Sequence, residues 1–205
     1  MFLIQTNLLD TLKQWDQWLF VQINNHQSNA FFDSVMPFLR VAYTWAPLYL
    51  FLLVFIIYNY KGNGAWWFVF FLCTVSLCDM TSTNVFKEVF QRLRPCADPD
   101  FFQNVRLVVD RCGGNYSFTS NHAANHFGMA TFIFITLRSV LGKWRWLAFL
   151  WAAIIGYAQV YVGVHYPFDI LGGAIIGLLF GYLLGAFFNK RFGFANFDLI
   201  TNQDV

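Results

Sequence analysis

Five stretches of this chain, residues 43–60, 65–86, 122–137, 146–164 and 170–188, are apolar over 16 residues or more. A hydrocarbon core of about 30 Å takes roughly 20 residues of helix, so these runs restrict the fold more than any other feature. A further run, 31–41, is shorter and contains Asp33 and Arg40. With it included, the expectation is an all-α, polytopic membrane protein of six transmembrane helices. Composition agrees. The chain is 58% hydrophobic and 21% aromatic, and only 12% charged, whereas a soluble domain carries about a quarter charged residues. A net charge of +2 gives no reason to expect a nucleic-acid partner; membrane lipids are the expected surroundings.

The 205 residues read as one domain: an amphipathic N-terminal segment (1–27), a six-span bundle (28–190) and a cytoplasmic tail (191–205). Leu8, Leu12, Trp15 and Leu19 recur at helical spacing, with Asp10, Lys13, Gln14 and Gln17 elsewhere on the wheel. Such a helix lies on a membrane surface or docks against the spans. Its lack of a basic start and its interrupting charges argue against a cleavable signal peptide.

Basic residues near short loops set orientation. Lys61, Arg138, Lys143, Arg145, Lys190 and Arg191 all fall on one side of a six-span arrangement. The N-terminus and Lys13 fall there too, and that side should be cytoplasmic. The opposite side holds the loop 87–119, which nevertheless carries Lys87, Arg92, Arg94, Arg106 and Arg111. Either these residues bind an anion, or they pair with Asp98, Asp100 and Asp110 nearby. Cys96 and Cys112 lie in this loop, where an exported compartment permits a disulfide worth about 3 kcal/mol in the chain-entropy model.

Three polar stations fall on this outer face. In "KEVFQRLRP", Lys87 and Arg94 are seven residues apart, nearly on one helical face, and Pro95 ends the helix. Any membrane helix can end in such residues, yet two cations at the mouth of a span also suit a phosphate. In "SFTSNHAANHF", Thr119 and Ser120 are N-cap candidates, and a helix start is an anion site. His122 lies in that first turn and His126 one turn deeper. Their spacing suggests zinc, but no third ligand accompanies it, and His126 is expected to be packed and hydrogen-bonded. In "YVGVHYPFDI", Pro167 suits the first turn of the last helix, with His165 just before it and Asp169 inside it. The pair is either a structural cap or a basic histidine oriented by a carboxylate. Two cations, a helix start and two histidines on one face match phosphoryl transfer through a phosphohistidine.

With these motifs the chain resembles integral-membrane phosphatases of the type 2 phosphatidic acid phosphatase and vanadium haloperoxidase superfamily. The family pattern is K-x6-RP, then PSGH, then SR-x5-H-x3-D. Lys87 to Pro95 match the first part; "TSNH" keeps Ser120 and His122; "AQVYVGVHYPFD" keeps His165 and Asp169. The resemblance covers about residues 30–190. It implies His165 as nucleophile, Asp169 as its orienting carboxylate and His122 as general acid. Lys87, Arg94, Ser120, Asn121 and Gln159 would hold the phosphoryl oxygens, with no metal and no cofactor.

Two positions depart from the pattern. Gln159 stands where the family has arginine, and Asn121 where it has glycine. A lost charged contact costs roughly 1.5–3 kcal/mol, or about one to two powers of ten in rate, unless Arg92, Arg106 or Arg111 replaces it. The Asn121 side chain would crowd the pocket. The leading expectation is a lipid phosphatase facing outward from a bacterial-type inner membrane. Its substrate would be undecaprenyl pyrophosphate, phosphatidylglycerophosphate, phosphatidic acid or a lipid A phosphate. The alternative is a non-catalytic binder or transporter of anionic lipid. Gly173, Gly177, Gly181 and Gly185 form a stripe on the last helix; such stripes permit close packing, inside the bundle or across a homodimer.

Overall fold

The computed structural model describes residues 8–114 and 116–194, and every regular element among them is helical. Helix α1 spans Leu8–Val21 and runs into a wider turn, Gln22–His26. Helix α2 spans Ala30–Leu39, and the Asn29 side chain caps it by accepting from the Phe32 N–H at 2.9 Å. Helix α3, Ala46–Met80, has two arms, because Lys61 adopts φ 46° and ψ −119° and folds the chain back on itself. Gly64 lies so close to the backbone of Ile56 that a Cβ would not fit. The second arm continues through Thr81–Lys87 and Glu88–Phe90 to Gln91, whose left-handed backbone ends it. Three longer helices follow among the described residues: α4 (Asn121–Thr136), α5 (Trp146–Tyr161) and α6 (Pro167–Arg191).

At the end holding Lys61, the core is Ile56, Trp67, Phe71, Phe132 and Phe188. Trp67 donates its indole N–H to Thr136 Oγ1 at 2.7 Å, so its polar atom is satisfied within the apolar cluster. The glycine stripe lies against α4. A Cβ built on Gly173, Gly177 or Gly181 would come within 2.5 Å of the carbonyl oxygens of Ser120, Ala124 and Gly128 respectively. The stripe therefore packs inside the bundle, where it brings the starts of α4 and α6 together.

The first expected span is shorter than a full crossing. Helix α2 has ten residues, about 15 Å of rise, half of a hydrocarbon core. Its contacts also keep it at one end of the bundle: Asp33 pairs with Arg106 at 2.7 Å and accepts from Tyr161 Oη at 2.7 Å. The N-terminal helix lies elsewhere in the bundle than expected. Asp16 pairs with Arg92, Phe20 packs on Phe101 and Tyr166, and the Asn24 amide donates to the carbonyls of Arg106 and Tyr161. Helix α1 thus lies at the end of the bundle opposite Lys61 and Arg138, not with them. Its Leu8, Leu9, Trp15 and Trp18 are exposed while Asp16 and Phe20 are buried, so it is docked by one face and presents an apolar face outward.

By length and composition, two stretches among the described residues can cross a membrane: Ala42–Ala97, which contains the reversal at Lys61, and Pro167–Arg191. Helices α4 and α5 have 16 residues each, about 24 Å. Cys96 and Cys112 are joined in a disulfide with a Cα–Cα distance of 5.8 Å. The expected tail 191–205 falls, beyond residue 194, outside the described residues.

Candidate active site

The start of α6 organises the site. Tyr166 is extended, Pro167 opens the helix, and Asp169 turns back to accept from the Tyr166 N–H at 2.8 Å. The same carboxylate oxygen accepts from Ser117 Oγ at 2.5 Å and lies 3.5 Å from His165 Nδ1. His165 Nδ1 is also 3.3 Å from Ser117 Oγ. Because the Ser117 proton goes to Asp169, both neighbours of Nδ1 act as acceptors, which assigns the ring proton to Nδ1. Nε2 then carries the lone pair, and it faces Arg94 Nη1 at 3.1 Å. Burial pushes His165 down to about 4 despite the hydrogen bond to Asp169 that opposes it, so the ring stays neutral at neutral pH. A neutral imidazole with a fixed tautomer is the form a nucleophile needs.

Arg92 completes the shell of Asp169. Its Nη1 is 2.9 Å from Asp169 Oδ1 and its Nη2 is 2.5 Å from Asp16 Oδ2, while Asp16 Oδ1 accepts from the Phe168 N–H at 2.8 Å. The guanidinium lies 4.0 Å over the Tyr166 ring. The buried carboxylate is thereby matched by a cation that is itself shared with α1.

Lys87 and Arg94 come from the same connection but not from one helix face, because Gln91 breaks the helix between them. Arg94 is extended before Pro95 (φ −72°, ψ 153°), as the proline requires, and donates from Nη1 to the Val164 carbonyl at 3.0 Å. Lys87 is buried, at 6% exposure, and has no carboxylate within ion-pair distance among the described residues. Its charge acts on Arg94 and His165, and those of Arg94 and Arg40 act on His122. Lys87, Arg94, His122, His165 and Asp169 therefore face one region.

Ser120 is the N-cap of α4, its Oγ accepting from the Ala123 N–H at 3.4 Å. Its own N–H donates to the Asp169 carbonyl at 3.1 Å, so that amide ties α4 to α6 and is not open to a phosphoryl oxygen. Asn121 turns away from the region. Its amide donates to Asp79 and Thr83 at 2.8 and 2.7 Å, and its oxygen accepts from Ser82. The side chain anchors the end of α3 to α4 and does not crowd the site. His126 is packed and hydrogen-bonded: Nδ1 donates to the His122 carbonyl at 2.7 Å and the ring meets Trp151. Among the described residues, no group of three His, Cys, Asp or Glu side chains could hold a metal.

At Gln159 the neighbour is Arg40, from the end of α2. Arg40 Nε and Nη2 both lie 3.3 Å from Gln159 Oε1. Two of the three loop arginines expected there are engaged elsewhere, Arg92 with Asp169 and Asp16, Arg106 with Asp33; the third, Arg111, lines a surface cavity together with Arg40. Sequence reasoning missed Arg40 and Ser117. Arg40 was visible as a charge inside an apolar run, the usual mark of a functional group. Ser117 lies 48 residues from His165, and no local pattern connects them.

The arrangement offers a neutral histidine backed by a carboxylate, a second histidine nearby and cations placed to receive an anion. The PAP2 superfamily model matches residues 64–192. The lipid A 4'-phosphatase of Porphyromonas gingivalis is 31% identical, over 81% of this chain and 70% of that one. The lipid A 4'-phosphatase of Bacteroides thetaiotaomicron is also 31% identical, over 86% and 78%. The crystal structure of a transmembrane PAP2-type phosphatidylglycerolphosphate phosphatase from Bacillus subtilis shares the fold, with a TM-score of 0.66 at 24% identity over 92% of this chain and 90% of that one. With the motif order, the family match and the two relatives in agreement, this chain belongs to the PAP2 superfamily and is a phosphoric ester hydrolase.

Proposed function

We propose that the chain removes phosphate from a membrane lipid at the outer face of a bacterial inner membrane, through a phosphohistidine at His165. One observation carries this reading: His165 is buried, its Nδ1 is held by Asp169 and Ser117, and its Nε2 faces Arg94. When a phosphate takes the Arg94 guanidinium, Nε2 is left to attack phosphorus. The N–P bond forms as the P–O ester bond breaks, and His122 gives its proton to the leaving alkoxide. Water then attacks the phosphohistidine with His122 accepting its proton; the N–P bond breaks and orthophosphate leaves. Lys87 and Arg94 neutralise the charge on the phosphoryl oxygens throughout.

The single domain crosses the membrane five times in this reading, by the two arms of α3 and by α4, α5 and α6. Lys61, Arg138, Lys143, Arg145, Lys190 and Arg191 gather at the end away from His165, which the positive-inside bias assigns to the cytoplasm. The Cys96–Cys112 bridge at the other end fits an oxidising exterior. A site at that end meets phosphates carried by lipids. Among the candidate lipids, a phosphate of lipid A is favoured, because both 31%-identical relatives are lipid A 4'-phosphatases. The glycine stripe lends a homodimer no support, since α4 already covers it.

The test is phosphate release by purified protein, in EDTA, from lipid A, undecaprenyl pyrophosphate, phosphatidylglycerophosphate and phosphatidic acid. Wild type should release phosphate from lipid A fastest, and His165→Ala and His122→Ala should each lose at least about a hundredfold. Release from none of the four lipids would favour the anionic-lipid binder. Full activity in His165→Ala would remove the phosphohistidine.

A further inference from the structure

We propose that Arg40, held in place by Gln159, contacts the transferred phosphate and supplies the positive charge absent from position 159. The charge is moved from α5 to the end of α2, so that two side chains from different helices occupy the role of one arginine. This rests on reading the site as a phosphatase centre.

Three observations point the same way. Gln159 is fully buried, and its oxygen receives Arg40 Nε and Nη2, which leaves Arg40 Nη1 for another acceptor. The Gln159 amide nitrogen is buried without any hydrogen-bond partner. A buried donor left unmade is costly, and next to a cationic region its natural complement is an anion's oxygen. Arg40 itself forms no ion pair among the described residues. Its charge nevertheless acts on Arg94 and His122, at the place where the leaving group would depart. A desolvated arginine that forms no ion pair is unfavourable, and a phosphoryl group with two or three charged oxygens resolves both deficits. Arg40 Nη1 and Gln159 Nε2 would then donate together, the fork-like pair that a single arginine presents to phosphate.

The contacts of α2 also fix the position of Arg40. Met36 packs with Ala158, Tyr161 and Val162, and Asp33 is fixed to Tyr161 and Arg106. These contacts deliver residue 40 to the same turn of α5 that carries residue 159.

The test uses the full-length protein in detergent, with orthovanadate as the phosphate mimic and calorimetry as a readout independent of turnover. Arg40→Gln should weaken vanadate binding and lower kcat/KM by about 10- to 100-fold each, with an unchanged melting temperature. The exchange double variant, Arg40→Gln with Gln159→Arg, should recover at least about tenfold of that loss, because the charge returns from the other helix. If Arg40→Gln does not fold, Arg40→Lys replaces it, with an expected loss of several-fold in vanadate affinity because an ammonium cannot hold Gln159 and phosphate together. Wild-type vanadate affinity in Arg40→Gln, or in Arg40→Lys when it stands in, overturns the proposal. So does a folded exchange variant as weak as Arg40→Gln, and so does a wild-type protein that binds no vanadate. If no lipid is dephosphorylated but Arg40→Gln still loses vanadate, the phosphatase reading fails while the role of Arg40 stands. Normal lipid turnover in Arg40→Gln separates them the other way: the phosphatase reading stands and the role of Arg40 fails.

Discussion

Asp169 ties together three segments of the chain that are distant in sequence. One of its oxygens receives Ser117 and the Tyr166 N–H and faces His165; the other receives Arg92. The pairing of His165 with Asp169 could be read from their four-residue spacing across Pro167. The wedge of Ser117 between them could not, since it depends on how the loop 87–119 returns to the bundle. Ser117 touches the ring and the carboxylate but neither of the two phosphate-binding cations, so its effect should be on orientation. Ser117→Ala should lower kcat about tenfold, the worth of one buried hydrogen bond, and leave KM within about twofold. Steady-state kinetics on the preferred lipid checks this, and an unchanged kcat would mean that Asp169 alone holds the tautomer. The order of the three motifs was legible because each is local; the residue that meets Gln159 was not, because Arg40 reaches it from 119 positions away.

The contact of α4 with α6 does for elements what Asp169 does for residues. It sets Ser120 and His122 at one helix start against His165 and Asp169 at the other, through the Ser120 N–H to Asp169 carbonyl bond. The glycine stripe was legible as a close-packing face from its four-residue repeat alone. Which helix it meets was open, because a repeat carries no information about its partner. A Cβ at position 177 would lie 2.5 Å from the Ala124 carbonyl and 2.6 Å from the Gly128 nitrogen, whereas Gly62 has open space around it. Backbone atoms on both sides cannot step aside independently, so the two helices must separate. Gly177→Ala should therefore cost about 1–3 kcal/mol and reduce turnover, while Gly62→Ala leaves both unchanged. Thermal unfolding in detergent, with phosphate release from the same samples, decides it. Equal melting temperatures for the two variants would mean that the interface yields more easily than its geometry implies.

At the scale of the molecule, hydropathy located the apolar helices and left the segment before them open. A window of apolar residues reports that a segment avoids water; it does not report which neighbours its ends meet. Helix α2 is apolar enough to pass as a short span, but Asp33 and Arg40 bind groups at the same end of the bundle as Asp16 and Asn24. The whole stretch from α1 to α2 therefore lies over the site end, and α1 turns leucines and tryptophans outward where a bilayer surface would meet them. This arrangement has a direct consequence for sidedness. Single cysteines are placed at exposed positions, Ser28→Cys before α2 and Ser139→Cys between α4 and α5, after Cys73 and Cys78, the two free cysteines, are changed to alanine. The Cys96–Cys112 bridge stays intact and silent to maleimide. In spheroplasts, a membrane-impermeant maleimide should label Ser28→Cys directly and reach Ser139→Cys only after permeabilisation. Labelling of both only after permeabilisation would return the N-terminus to the cytoplasm and make α2 a crossing. The opposite pattern would turn the whole bundle over and put His165 inside the cell, out of reach of lipids in the outer leaflet.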